Sequence, residues 1–294
     1  MGRRRIALAA MAALALLLAA LAARDPLAAI NAVAPGGASQ LHAGLAYGPG
    51  ARNGIDVYTP LGRHGPLPLL VFFYGGNWVS GSRTDYAFVG RALAARGFVV
   101  VIPDYRLYPE VRYPDFLDDA ARAVAWTVRH AAQFGADPAR LFLMGHSAGA
   151  YNAAMLALDA RWLTAQGVAP GTLRGWIGLA GPYDFLPVEN PTARPVFHFP
   201  DTPPASQPIL HAGPGAPPSL LIAPNSDALV NPRRNTAGLA RKLRGAGVPV
   251  RELYFDGVGH ASLVASLAAP LQLLAPTLDV VEQFIASDGG RNAK

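Results

Sequence analysis

Short apolar runs alternate with amphipathic stretches from residue 55 to near the end of the chain, and few architectures accommodate that order. The run LPLLVFF covers 67–73, GFVVVIPDYR covers 97–106, and SLLIA covers 219–223. Uninterrupted runs of this length are typical of strands that are covered on both faces. A helix is predicted between two of them, from Pro114 to the glycine at position 135.

The alternation predicts an α/β fold with a mostly parallel central sheet, helices on both faces and right-handed crossovers. In such sheets, ligands bind at the carboxyl ends of the strands. The proline-rich segment 181–218 has little helical period, which predicts a short lid loop rather than a cap domain. Further strands are predicted at 55–60, 141–144, 175–180 and 250–255, and further helices at 85–96, 148–158, 233–245 and 262–286.

The N-terminus has the pattern of an export or anchoring signal. Three arginines at 3–5 precede an apolar run over residues 6–23, which is typical of a secretory signal peptide. Ala20-Leu21-Ala22 has the small-x-small pattern of a cleavage site. The run is also long enough for one membrane anchor, and a helix packed on the domain is the third alternative. We therefore expect an exported protein that is periplasmic, secreted, or anchored to the membrane by residues 6–23.

The composition excludes several kinds of site and partner. The absence of cysteine excludes disulfides, thiolate metal sites and a cysteine nucleophile. Three of the 25 basic residues lie in the N-terminal signal, which leaves 22 basic residues against 19 acidic ones. The remaining basic residues form no stripe along the sequence, so we expect no nucleic-acid partner. The chain has no H-E-x-x-H motif, phosphate-binding loop or dinucleotide fingerprint, so we expect neither a metal nor a cofactor.

The pentapeptide GHSAG, residues 145–149, stands between the predicted strand at 141–144 and the predicted helix at 148–158. A G-x-S-x-G sequence alone is weak evidence, but this strand-to-helix context matches a tight turn that exposes a nucleophilic serine at the edge of a sheet. The alternative is a serine that only caps the helix. We predict Ser147 as the nucleophile.

A serine nucleophile needs a histidine that accepts its proton and a carboxylate that orients the histidine. Of the seven histidines, only His260 follows the last predicted strand, so we predict it as the base. Asp227, in the loop after the strand at 219–223, is the preferred acid, and Asp184 is the alternative.

The chain carries five motifs whose combination resembles a known family: YGGNW, DYRLYPE, GHSAG, SDALV and GVGH, in that order. With them, residues 55–286 resemble an α/β-hydrolase of the esterase and lipase type, nearest the branch of hormone-sensitive-lipase-like and acetyl or feruloyl esterases. The N-terminal pattern, the turn-rich stretch after it and the resemblance together predict a signal or anchor at 1–23, a linker at 24–50, a catalytic domain at 51–287 and a flexible tail at 288–294.

In that family, backbone N–H groups of the glycine loop and of the residue after the nucleophile hold the oxyanion of the tetrahedral intermediate. The resemblance assigns this role to Gly75, Gly76, Asn77 and Ala148. The family usually has histidine as a loop-bracing residue at the position of Tyr74. The pocket residues expected from these positions are Tyr74, Trp78, His146 and Tyr183.

These features predict a serine hydrolase that cleaves short-chain acyl, acetyl or aryl esters of small molecules through an acyl-enzyme. The Gly-Gly-x-Trp loop also resembles that of kynurenine formamidase, so an amide or N-formyl hydrolase is the alternative. A non-catalytic binding protein on the same fold is the third hypothesis, and the presence of all three triad residues speaks against it.

Overall fold

The computed structural model describes residues 24–34, 36–63 and 65–290, and in these ranges eight strands form one sheet in the order β1-β2-β4-β3-β5-β6-β7-β8. β1 pairs antiparallel with β2, and β2 pairs antiparallel with β4, whereas the other neighbours are parallel. The prediction of a mostly parallel α/β sheet is therefore confirmed. The strands are β1 (Ser39–Ala46), β2 (Gly54–Pro60), β3 (Leu67–Phe73), β4 (Val99–Pro103), β5 (Ala136–His146), β6 (Leu173–Leu179), β7 (Ser219–Pro224) and β8 (Val250–Phe255).

Helices connect the strands and cover the sheet. They are α1 (Pro26–Val33), α2 (Ala87–Ala95), α3 (Asp115–His130), α4 (Ala148–Leu158), α5 (Arg161–Ala165), α6 (Gly238–Gly245), α7 (His260–Ala265) and α8 (Thr277–Ala286). A π-helical turn at Arg233–Ala237 leads into α6.

The core lies around the central strands. All residues of β3 after Leu67 are buried, and all five residues of β4 are buried. Since successive side chains of a strand point to opposite faces, continuous burial means that both faces of these strands are covered. This is the physical basis of their unbroken apolar runs.

Two sequence-based expectations are wrong. Residues 24–50 were expected to be a linker, but they contain α1 and β1, and β1 pairs with β2 at the edge of the sheet. A single helix was expected at 262–286, but α7 ends at Ala265 and α8 begins at Thr277. Pro270 and Pro276 lie between them and cannot donate the backbone hydrogen bonds of a continuous helix.

The lid segment 181–218 is packed on the domain. It contains two short 3₁₀ turns, Pro204–Ser206 and Pro208–His211, and it buries Val196 and Phe197. Phe197 makes an edge-to-face contact with Trp78 of the glycine loop, with ring centroids 4.7 Å apart. The lid is thus held by the same loop that was predicted to bind the oxyanion.

The predicted N-terminal signal at 1–23 lies outside the described residues. Within the ranges that are described, none of the helices has the length and apolar character needed to cross a membrane.

Candidate active site

Ser147 occupies the sharp turn between β5 and α4, and its backbone has φ 54° and ψ −123°. A positive φ is strained for a residue with a side chain, so the surrounding structure has to enforce it. Glycines at both ends of the motif make the turn feasible. A Cβ on Gly145 would lie 2.1 Å from the carbonyl oxygen of Gly149, and a Cβ on Gly149 would lie 2.0 Å from that of Phe73.

Ser147, His260 and Asp227 form one hydrogen-bonded chain. Asp227 Oδ2 lies 2.7 Å from His260 Nδ1, and His260 Nε2 lies 2.8 Å from Ser147 Oγ. An ionised carboxylate only accepts hydrogen bonds, so Nδ1 of a neutral His260 carries the proton and Nε2 is free to accept from the serine hydroxyl. This is the geometry that general-base activation of a serine requires.

Several donors surround the carboxylate of Asp227, whose side chain is fully buried. Its Oδ1 accepts from the backbone N–H groups of Leu229 and Val230, at 2.8 and 3.1 Å. Burial alone would raise the pKa of Asp227, but the hydrogen bond with His260 and those from the backbone outweigh it, and the pKa is lowered. The carboxylate therefore stays ionised while it orients His260.

The alternative acid, Asp184, has a different partner. Its Oδ1 accepts from Arg234 at 3.2 Å, and this ion pair stands in the wall of the cavity beside Ser147. Of the two candidate acids, only Asp227 is hydrogen bonded to the predicted base.

The glycine loop after β3 turns sharply beside Ser147. Gly76, Asn77 and Trp78 have φ of 132°, 51° and 59°, and the carbonyl oxygen of Gly76 accepts from the N–H groups of Val79 and Ser80. Gly76 and Asn77 border the same cavity as Ser147, as does the residue that follows it, Ala148. The N–H of Ala148 has no partner within its helix, because Ala148 is the first residue of α4.

Gly75, unlike Gly76 and Asn77, is not among the residues that border this cavity. Packing around Gly75 leaves little room for a side chain. A Cβ there would lie 3.0 Å from Ser147 Cβ and 3.1 Å from the carbonyl oxygen of His146.

Tyr74 does not line the cavity either, because its side chain is fully buried behind the loop. Its hydroxyl accepts from Arg52 at 2.7 Å and donates to Asp104 at 3.1 Å, and its ring stacks on Tyr105. Arg52 also donates to the carbonyl oxygen of Gly81, at the far end of the glycine loop. Tyr74 is therefore a brace that ties the two ends of the loop together.

The cavity around Ser147 has a volume of about 510 Å³, enough for a small organic molecule. Two of the four residues expected in the pocket, Trp78 and His146, border it. Tyr183 does not, because its ring is fully buried against Trp176. Cavity residues that sequence reasoning did not identify come from the lid and from the loop after β7, and they include Phe185, Val188, Glu189, Asn190, Leu229 and Arg234. Apart from Leu229, which stands in the SDALV motif, these residues belong to none of the motifs, so the fold brings them to the site.

Trp78 forms a rigid part of the cavity wall. Its indole N–H donates to Asn152 Oδ1 of α4 at 3.1 Å, and only 2% of its surface is exposed. The neighbouring Asn77 accepts from Asn190 of the lid at 3.2 Å. In the described parts of the chain, no group of three or more histidine or carboxylate side chains is arranged to hold a metal ion.

The chain is similar to known esterases in sequence and in fold. The family model BD-FAE matches residues 55–243. A probable isoprenylcysteine alpha-carbonyl methylesterase of Oryza sativa subsp. japonica is 35% identical over 159 residues, which cover 50% of this chain and 36% of that protein. An esterase of Mycobacterium tuberculosis is 30% identical over 215 residues, 66% of this chain and 53% of that protein. The chain thus spans about a third to a half of the length of these curated relatives.

Solved structures show the same fold at lower sequence identity. An inhibited esterase B from Lactobacillus rhamnosis has a TM-score of 0.75 at 19% identity, and the match covers 96% of this chain and 97% of that one. A thermostable carboxylesterase from a metagenomic library has a TM-score of 0.69 at 22% identity, with 88% of this chain and 92% of that one covered.

Proposed function

Since the chain belongs to the BD-FAE family of the α/β-hydrolase superfamily, we propose that it is a serine hydrolase that cleaves carboxylic esters of small molecules. The observation that carries the proposal is the hydrogen-bonded chain from Asp227 through His260 to Ser147, with both contacts below 3 Å. The curated relatives named above are an isoprenylcysteine methylesterase and an esterase, and both names describe hydrolysis of an ester bond.

In the proposed reaction, Ser147 Oγ attacks the ester carbonyl while His260 Nε2 takes its proton. Gly76, Asn77 and Ala148 border the cavity, and their backbone N–H groups are the proposed donors that stabilise the carbonyl oxygen when it becomes negative. His260 then gives the proton to the leaving alkoxide, so the alcohol departs and an acyl-enzyme remains. Water, activated by His260, releases the acid and regenerates Ser147.

The cavity is suited to an uncharged ester of moderate size. Trp78, Phe185 and Val188 offer apolar surface, whereas Asp184 and Arg234 offer hydrogen-bonding groups on another part of the wall. Since Trp78 is held by Asn152 and packed against Phe197, we propose that it does not move aside for a long chain. Short acyl, acetyl and aryl esters are therefore the proposed substrates.

The direct test uses purified protein and a series of p-nitrophenyl esters from acetate to decanoate, with an N-formyl aryl amide as the alternative substrate. We expect hydrolysis of the short esters, loss of nearly all turnover in Ser147→Ala, and covalent labelling of Ser147 by a fluorophosphonate. Ser287→Ala is the matched control because Ser287 lies at the end of α8, outside the cavity. Absence of ester hydrolysis by the wild-type protein, or full activity in Ser147→Ala, would refute the proposal. Faster turnover of the N-formyl amide than of every ester would favour the alternative.

We also propose that residues 1–23 direct export of the protein. Expression with a C-terminal tag, followed by cell fractionation and N-terminal sequencing, distinguishes a cleaved signal from a retained anchor. A full-length protein in the cytoplasmic fraction would exclude both.

A further inference from the structure

His146 occupies the variable position of the GHSAG motif, and its side chain is fixed between the nucleophile turn and the loop that carries the base. Only 4% of its surface is exposed. Its Nε2 lies 3.0 Å from the main-chain carbonyl oxygen of His260, and the two imidazole rings lie 4.9 Å apart. This contact joins residues that are 114 positions apart in the chain.

The protonation state of His146 follows from this partner. A carbonyl oxygen only accepts hydrogen bonds, so Nε2 of His146 carries a proton and donates it. Burial, together with the neighbouring His260, lowers the pKa of His146 to about 3, so the ring is neutral and Nδ1 is not protonated. Among the described residues Nδ1 has no hydrogen-bond partner, and it faces Gly75, where a Cβ would lie 3.2 Å away.

This arrangement of the His146 ring does not favour the stability of the fold. A buried polar nitrogen without a partner destabilises a fold, and an apolar ring of similar size would avoid that cost. The nearly complete burial of His146 also leaves little surface for contact with a substrate, and its protonated nitrogen is already occupied. The contact with His260 is the feature of His146 that an apolar residue could not replace.

His146 and Ser147 together hold His260 at two points. Ser147 Oγ contacts the imidazole ring at Nε2, and His146 contacts the backbone of the same residue at its carbonyl oxygen. Because His146 and Ser147 are adjacent in the chain, the two contacts limit both the distance and the tilt of the His260 ring relative to the hydroxyl. General-base catalysis depends strongly on this geometry.

We propose that His146 is a positioning residue, which holds the main chain of His260 so that its imidazole stays aligned with Ser147. This inference rests on the proposed function, since it assigns His146 a role in the reaction of the same site. His146 borders the cavity, as expected of a pocket residue, and the proposal gives it a second role.

The test compares two substitutions that differ in hydrogen bonding. His146→Phe keeps an aromatic ring but has no donor, whereas His146→Gln carries an amide N–H near the position of Nε2. We expect His146→Phe to lower kcat roughly 10- to 100-fold with KM changed less than about threefold, because misalignment by a fraction of an ångström affects the transition state and not substrate binding. His146→Gln should recover kcat to within about fivefold of the wild type. The rate of fluorophosphonate labelling at Ser147 should change in the same proportion.

His130→Phe is the matched control. His130 also contacts a main-chain carbonyl, that of Trp126, but it lies at the end of α3, away from the cavity. This variant should keep kcat within twofold of the wild type. The proposal is wrong if His146→Phe keeps kcat within twofold, if His146→Gln folds but is as slow as His146→Phe, or if KM accounts for the loss.

A measurement on the wild type covers the case in which a variant does not fold. The ¹⁵N NMR shifts of the His146 ring at pH 6 should be those of a neutral imidazole protonated at Nε2. A charged ring, or one protonated at Nδ1, would overturn the proposal. The experiment also separates this inference from the proposed function. An inactive wild type refutes the function, whereas an active wild type whose kcat is unchanged by His146→Phe refutes only the positioning role.

Discussion

Burial of His146 as a neutral ring has a consequence for stability that can be measured independently of catalysis. Burial and the neighbouring His260 lower the pKa of His146 to about 3 in the folded protein. An unfolded chain has a histidine pKa of about 6.5. Between these two pH values the unfolded chain binds a proton that the folded chain does not bind at this position. The free energy of unfolding should therefore fall as the pH falls below about 6.5.

The size of the effect at pH 5 depends mainly on the unfolded state. At that pH the folded-state ring is still neutral, so the loss is set by protonation of the histidine in the unfolded chain. Between pH 7 and pH 5, His146 alone should lower the free energy of unfolding by about 2 kcal/mol. His146→Phe removes the titrating group. Its free energy of unfolding should therefore fall by about 2 kcal/mol less than that of the wild type between pH 7 and pH 5.

The assay is urea unfolding of wild type, His146→Phe and His146→Gln at pH 7, 6 and 5, followed by circular dichroism. Neither variant has a titrating group at this position, so both should show the same weaker pH dependence although they differ in turnover. If all three proteins lose the same free energy between pH 7 and pH 5, His146 is not held neutral, and the reasoning from its burial fails.

Three further predictions concern other parts of the site. Tyr74→Phe should lower the free energy of unfolding by about 2 kcal/mol in urea titration, since its buried hydroxyl bonds two charged side chains; an unchanged midpoint would contradict the bracing role. Gly149→Ala should not yield folded protein, because its Cβ would lie 2.0 Å from the last carbonyl oxygen of β3, whereas Gly245→Ala meets nothing within 4 Å and should be neutral or slightly stabilising. Equal yields of the two variants would argue against a tight turn. Asp227→Asn should lower kcat for ester hydrolysis roughly 10³- to 10⁴-fold, whereas the kcat of Asp184→Asn should stay within about tenfold of the wild type. A larger loss of kcat in Asp184→Asn than in Asp227→Asn would make Asp184 the catalytic acid.

Much of the site could be predicted from local sequence. Ser147 stands in a motif whose two glycines are required by contacts of about 2 Å, so the motif together with the strand before it and the helix after it predicts the turn. His260 and Asp227 could be predicted because each follows a strand, and the carboxyl ends of parallel strands meet at one edge of the sheet. In the structure both lie in the hydrogen-bonded chain that ends at Ser147.

Other expectations were wrong because they concerned directions of side chains or pairing between distant segments. The side chain of Tyr74 points away from the cavity towards Arg52 and Asp104, and the sequence of the loop does not show this. β1 was missed because its residues are mostly exposed or half-buried, so it lacks an apolar run and is stabilised by pairing with β2.

The sequence by itself determined the mostly parallel sheet and most of its strands and helices, and it predicted the nucleophile, base and acid, because each of these depends on a local pattern or on position after a strand. The tertiary structure alone decided which residues of the glycine loop border the cavity and which lid residues form its wall. It also decided that His146 contacts the main chain of His260 and that Tyr74 braces the loop from behind. Such contacts join residues tens to more than a hundred positions apart, and no periodicity or motif specifies them.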